Sequence, residues 1–346
     1  MSRYTVIRSQ KPSYSFQVDV RSITILCLLI VLLAGVIIMS IGLGSIRIPV
    51  SEVLKSLVGL GDGTAQLVVV NLRFPRILVS VMVGAALAVS GAILQALVRN
   101  PLASPDLIGT TNGATAAAVA FIAFTNGAYS IHWLPLAALV GGFFAASLTY
   151  VTAWKRGLSP FRFALIGVSI STAMGALSVY FMISGPLYLA SQALGWMSGT
   201  VYGTTWDHVF ALLPWIIGFL LITWMQARTL NAQELGDDVA KGVGVRVEKK
   251  RLLLIAVSVA LAAAAVGIAG GIGFVGLMAP HMARRLVGSS YGALLPASAL
   301  LGGSFVLLAD LAARTLFVPL DVPAGVFTAA VGAPFFMYLL YRSRRE

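Results

Sequence analysis

Ile23-Thr-Ile-Leu-Cys-Leu-Leu-Ile-Val-Leu-Leu-Ala-Gly-Val-Ile-Ile-Met39 contains no charged residue, and runs like it decide the solvent in which this chain folds. A helix crosses the hydrocarbon core of a bilayer with about 20 apolar residues, and such runs recur along all 346 residues with short polar breaks between them. Hydrophobic residues make up 58% of the sequence and charged residues 10%, more apolar surface than a water-soluble domain of this length needs for its core. For most of the chain the solvent is therefore lipid. No separate soluble domain is expected, and residues 1–346 read as one membrane domain. The stretch up to Arg21 is polar and basic. The run after it is longer than a signal-peptide core and has no small-x-small cleavage pattern, so it reads as a retained first span. Cys27, the single cysteine, lies inside that run, which excludes a disulfide framework and a thiolate metal site.

Outward from this run, hydropathy and breakers predict an all-α polytopic protein of ten spans, at 22–42, 76–98, 106–125, 133–154, 161–183, 207–227, 251–270, 273–288, 292–316 and 323–341. The distribution of charge tests this count. With the N-terminus cytoplasmic, ten crossings return the C-terminus to the cytoplasm, and only Arg47, Lys55, Arg73, Arg76 and Arg314 of the 24 basic residues fall outside. The positive-inside rule requires that asymmetry, and adding or removing one span scrambles it. The net charge of +12 is thus a signal of membrane orientation, because the basic residues form no stripe beside stacking aromatics that would suit nucleic acid. Trp133 and Trp154 bracket the fourth span, and Trp206 and Trp224 the sixth, as amphipathic rings do at the two interfaces. Small residues recur at four-residue spacing: Gly84, Ala88 and Ala92; Ala263, Gly267 and Gly271; Gly325, Ala329 and Ala333. Lipid provides no hydrophobic drive for helix association, so close backbone approach through such faces is expected to hold the bundle together.

Four features could carry function. The longest cytoplasmic segment, 228–250, has Asn231 and Glu234 at capping-box spacing and Gly242 or Gly244 as a stop, while Ala240 and Gly244 offer small residues for close approach. Composition leaves two readings open there, a docking element for a cytoplasmic partner and a basic connector. Asp310 is the one acid well inside a predicted span. An intramembrane carboxylate suggests function by default, but a proton relay needs a second acid, so a structural pair with Arg314 one turn away is expected. Arg73, Arg76 and Arg314 lie at the outer ends of spans, where guanidinium groups either snorkel to the interface or bind a partner. His132, His208 and His281 belong to separate segments with no accompanying carboxylate cluster, so no metal bound directly to protein is expected, and Pro280-His281 reads as a kinked span with a hydrogen-bonded histidine.

The chain resembles the iron-chelate and cobalamin (FecCD-type) permease family of ABC importers. The likeness is carried by Arg73-Phe-Pro-Arg76 with Gly84-Ala-Ala-Leu-Ala-Val-Ser-Gly91 and Gln95; by Asn100-Pro-Leu-Ala103 with Asn112-Gly-Ala114; by the Leu235 to Gly244 loop; by Gly273-Phe-Val-Gly-Leu277 with Pro280-His281; and by Ala309-Asp-Leu-Ala-Ala-Arg314 with Gly325 and Gly332-Ala-Pro334. The resemblance implies ten spans per subunit, a second permease subunit, identical or homologous, two cytoplasmic ATPase subunits, and an extracytoplasmic solute-binding protein. It makes Glu234, Leu235, Gly236, Ala240, Gly244 and Val245 part of the coupling helices seated on the ATPase. It also makes Arg73, Arg76 and Arg314 docking residues for carboxylates of the binding protein, a role suited to a planar fork with two parallel donors. Gly157-Leu-Ser-Pro160, a plain turn by composition, resembles the stretch that constricts the cytoplasmic end of the path, which points to Ser159 and Pro160.

The implied protein is a transporter subunit of a prokaryotic cell membrane, itself neither an enzyme nor a binder of a cofactor. It has no Gly-x-x-x-x-Gly-Lys-Ser/Thr stretch, so ATP and Mg belong to the partner. The expected cargo is an iron(III)–siderophore; haem and cobalamin permeases share the motifs and remain alternatives. A proton-coupled secondary transporter would carry further buried ionisable groups and discontinuous helices at the bilayer midplane. A membrane-embedded enzyme would need a nucleophile with its base, and no such pair is seen.

Overall fold

A computed structural model describes residues 4–10, 13–44, 46–125, 129, 133–155, 159–185, 187–317 and 320–343. An antiparallel hairpin, β1 (Tyr4–Gln10) and β2 (Ser13–Asp19), precedes the helices, with Tyr4 opposite Asp19 and Gln10 opposite Ser13. It is an addition at the N-terminus to a chain whose remaining described elements are helical, as expected. There follow α1 (Val20–Gly42), α2 (Val50–Leu57), α3 (Gly63–Gln66), a π-helical turn at Leu67–Arg73, α4 (Phe74–Val98), a 3-10 turn at Pro105–Ile108, α5 (Thr110–Thr125), α6 (Leu134–Ala153), α7 (Pro160–Ser184), α8 (Leu187–Met197), α9 (Trp206–Met225), α10 (Ala227–Glu234), α11 (Asp237–Gly242), α12 (Val247–Ala269), α13 (Val275–Val287), α14 (Tyr291–Leu316) and α15 (Ala324–Ser343).

Each of the ten predicted spans coincides with a helix, but seven of the described helices are long and apolar enough to cross a membrane by themselves. The exceptions are α5, with 16 residues, α13, with 13, and α15, whose apolar part is Ala324–Leu339. Two of these begin after irregular backbone. Gly276, at the start of α13, packs on Gly91 and on the Leu87 carbonyl of α4. Gly91 lies seven residues before the end of α4, about 10 Å along the axis at 1.5 Å per residue. Pro105, in the turn before α5, also touches Gly276. Both helices therefore start part-way down the bundle, and their non-helical approaches are covered by protein, the condition under which such backbone is tolerated at membrane depth.

The core is organised around α4, which is buried along almost its whole length. Pro75 follows closely on the π-helical turn within one continuous helix from Gly63 to Val98, and the Val70 carbonyl five residues before it accepts the Trp206 indole N–H at 3.0 Å. Three small-residue contacts fix its neighbours: Gly84 against Gly302 of α14, Gly91 against Gly276 of α13, and a pair of hydrogen bonds between Ser90 and Ser258 of α12, with Oγ to carbonyl distances of 2.8 and 3.1 Å. The expected four-residue faces do this work. Ala88 meets Gly302, Ala263 meets Gly142 of α6, Gly267 meets Pro135, and Gly325 meets the Ser198 carbonyl, while Gly271 lies just past the end of α12. Trp133 and Trp154 cap the two ends of α6, and Trp206 and Trp224 stand in the first and last turns of α9.

Candidate functional site

Charged side chains collect at the two ends of this bundle. At the start of α4, Arg76 is the centre of the first cluster. Its Nε and Nη2 reach Asp310 Oδ1 at 2.8 and 2.7 Å, its Nη1 and Nη2 hold both oxygens of Asp321 at 3.1 and 2.8 Å, and its guanidinium lies 5.4 Å from the Tyr202 ring centroid. Asp310 is only 1% exposed, whereas Asp321 is 30% exposed at the mouth. The expected pair of Asp310 with Arg314 is present at 3.6 Å, longer than the bond to Arg76. Arg314 also donates to the backbone and hydroxyl oxygens of Ser40, and Arg73 donates to the carbonyls of Ile41 and Ile46. These two arginines tie down the chain leaving α1, and a side chain at Gly44 would strike the Arg73 guanidinium. All three sequence-selected arginines thus converge at one end, with their forks turned onto groups of this chain. Sequence reasoning missed Asp321 and Tyr202, which come from connections and not from spans; the available signal was an acid placed between the end of α14 and Pro323.

The second cluster surrounds α10 and α11. These helices are joined through Leu235 and Gly236, whose φ of +118° only glycine adopts readily, and Gly244, at φ +84°, closes the segment. Asp237 receives Arg99 at 2.7 Å and Arg251 at 2.7 and 2.8 Å. Glu234 pairs with Arg284 at 2.5 Å, Arg284 also donates to the Tyr291 hydroxyl at 3.1 Å, and the Asn231 side chain accepts the backbone N–H of Tyr291 at 2.9 Å. The capping expectation is corrected here. Asn231 lies inside α10 and caps α14 instead, and Glu234 is spent on an ion pair with α13. Ala240 is fully buried and cannot be a contact surface; Leu235 (72% exposed), Val239 and Val243 (68%) point outward in its place. Val245 donates its N–H to the Ala240 carbonyl and seals the turn. No local pattern joins Arg99, Asp237 and Arg251, because Arg99 lies 138 positions from Asp237 and only the fold brings it to the Asp237–Arg251 pair.

Ser159 is the N-cap residue of α7, with its carbonyl bonded to the Phe163 N–H at 2.9 Å, and Pro160 begins the helix. Gly157 and Leu158 of the same motif, and His132, lie outside the described residues. His281 departs from expectation: its Nε2 has no hydrogen-bond partner among the described residues, and the ring meets Phe335 edge-on at 5.9 Å. His208 serves instead as the reciprocal member of a capping box with Thr205.

The FecCD transport family matches residues 28–342. The "Probable siderophore transport system permease protein YfhA" of Bacillus subtilis (strain 168) is 49% identical over 320 residues, which covers 91% of this chain and 93% of that protein. The "Achromobactin transport system permease protein CbrC" of Dickeya dadantii (strain 3937) is 42% identical, covering 96% and 95%. Among solved structures, an inward-facing conformation of a metal-chelate type ABC transporter superposes with a TM-score of 0.83 at 32% identity, covering 92% of this chain and 99% of that one. With matches of this extent, the chain belongs to the FecCD transport family.

Proposed function

We propose that this protein is the permease subunit of an ATP-driven importer that carries an iron(III)–siderophore whole across the cell membrane. The observation that carries the reading is full-length similarity to siderophore permeases, joined to a bundle whose two ends bear separate charged clusters suited to separate partners. In this reading the chain is one domain of ten crossings with both termini cytoplasmic, paired with a second permease, two ATPase subunits and an external binding protein. ATP and Mg stay on the ATPase, and this chain binds no cofactor.

The segment from Glu234 to Val245 would seat on the ATPase through Leu235, Val239 and Val243, whose exposed apolar side chains project from a segment braced by ion pairs. The outer arginines would meet carboxylates of the binding protein at Arg76, where Asp321 is the exposed and therefore exchangeable partner; Arg73 and Arg314 would hold the surface in shape. Ser159 and Pro160 would narrow the inner end of the path. Cobalamin is the second cargo reading, since the "Cobalamin import system permease protein BtuC" of Halobacterium salinarum is 40% identical over 278 residues.

The test is uptake of a radio-iron siderophore and of labelled cobalamin by cells deleted for this chain and complemented with wild type or Leu235→Asp. Loss of iron-chelate uptake that wild type restores and the variant does not is the expected result. Loss confined to cobalamin would overturn the cargo assignment, and full transport by the variant would overturn the ATPase contact.

A further inference from the structure

The ion pairs of the inner cluster join elements that have to move together if a cytoplasmic partner drives the bundle. Asp237 is the first residue of α11 and its carboxylate is shared by two arginines. Arg99 caps the end of α4 in a left-handed conformation, φ +53°, which aims its side chain back at α11. Arg251 sits in α12 with its side chain 3% exposed, a charge that needs a counter-ion; Asp237 provides the short contact, and Glu248 stands further off at 3.5 Å. Higher up, α4 and α12 are pinned together by the Ser90–Ser258 hydrogen bonds. One carboxylate thus grips the inner ends of the two helices that form the centre of the fold, while α10 is fastened separately to α13 and α14.

We propose that Asp237 is a positioning residue for energy coupling: displacement of α11 by the ATPase passes through its carboxylate to α4 and α12. This rests on the reading of residues 234–245 as the ATPase contact. A pair that merely stiffened the fold would affect transport and hydrolysis alike. A linkage sets the ratio between them, because the ATPase still cycles when the spans no longer follow.

The experiment uses the whole transporter, permease with ATPase and binding protein, reconstituted in liposomes, with ATP hydrolysis and radio-iron siderophore uptake measured on the same vesicles. Asp237→Asn keeps the shape and removes the charge, Arg99→Ala cuts the α4 limb alone, and Asp237→Glu is the conservative control. For Arg99→Ala, which lies outside the 234–245 contact, ATPase capture and hydrolysis hold while chelate moved per ATP falls about tenfold, within the 5- to 150-fold range of site-to-site coupling; Asp237→Asn lowers the same ratio, and Asp237→Glu recovers most of it. An unchanged ratio, or a parallel loss of assembled complex, uptake and hydrolysis, overturns the linkage. Leu235→Asp separates the two ideas. If it abolishes ATPase capture while Asp237→Asn stays fully coupled, only this inference fails; if it captures ATPase normally, the contact reading beneath it fails.

Discussion

Asp310 and Asp321 hold the same arginine from opposite sides of the exposure scale, and that difference sets what each is worth. Asp310 is almost completely buried between Arg76 and Arg314. Removing one partner of a buried ion pair leaves the other charge uncompensated, so Asp310→Ala should destabilise the protein by about 3–5 kcal/mol. Asp321 is partly solvated, and its removal should cost about 1 kcal/mol or less. Thermal melting of the two variants in detergent would show the order, and near-equal losses would contradict it. The same pair shows what could be read without a structure. That Asp310 had a structural partner followed from its solitude in a span and from an arginine one turn away. That its shorter bond runs to Arg76 did not, because α4 and α14 meet through Gly84 and Gly302, a contact between residues 218 positions apart that no local pattern encodes.

At the scale of the helix, glycine is either a packing surface or a plain cost, and the neighbours decide which. A methyl group at Gly91 would land inside the Gly276 carbonyl, whereas one at Gly35, on the exposed side of α1, meets nothing within 4 Å. Gly91→Ala should therefore destabilise by about 2 kcal/mol or more through overpacking. Gly35→Ala should gain up to about 1 kcal/mol of helix propensity. Folded yield after extraction, with melting temperature, checks both, and a tolerant Gly91 would mean that α4 and α13 do not meet as closely as described. Helices of the spanning kind were legible because a long apolar run has one reading in lipid. The hairpin at Tyr4–Asp19, the short α8 and the π-helical turn before α4 were not, since each is brief and its sequence fits several local conformations equally well. The segment after α9 was legible as a glycine-stopped element, but its capping was not, because Asn231 and Glu234 bond to α14 and α13 instead. Nor was its orientation: spacing alone puts Ala240 at the surface, whereas the exposed positions are Leu235, Val239 and Val243.

For the molecule as a whole, bonding between helix ends bears on the number of crossings more directly than helix length does. The end of α12 bonds to Thr200, ahead of α9, and Gly199 in the same connection bonds to Gly325 at the start of α15, near the Arg76 end of the bundle. The start of α14 bonds to Asn231 in α10, at the Asp237 end. Residues 270–290 therefore connect opposite ends of the bundle, and in the proposed ten-crossing reading α13 supplies only part of a crossing, since its 13 residues rise about 20 Å against a hydrocarbon core of about 30 Å. The non-helical residues before Val275 make up the difference under cover of α4. Because Cys27 is the single cysteine, a Cys27→Ser background allows reporters to be placed one at a time. With a membrane-impermeant maleimide on intact cells, Arg47→Cys and Leu320→Cys should react at once. Lys241→Cys and Arg285→Cys should react only after the membrane is opened. Arg285 carries the most weight: if α13 failed to cross, this residue would stay on the side of the α12 end and label from outside, and the chain would have an odd number of crossings with its termini on opposite faces.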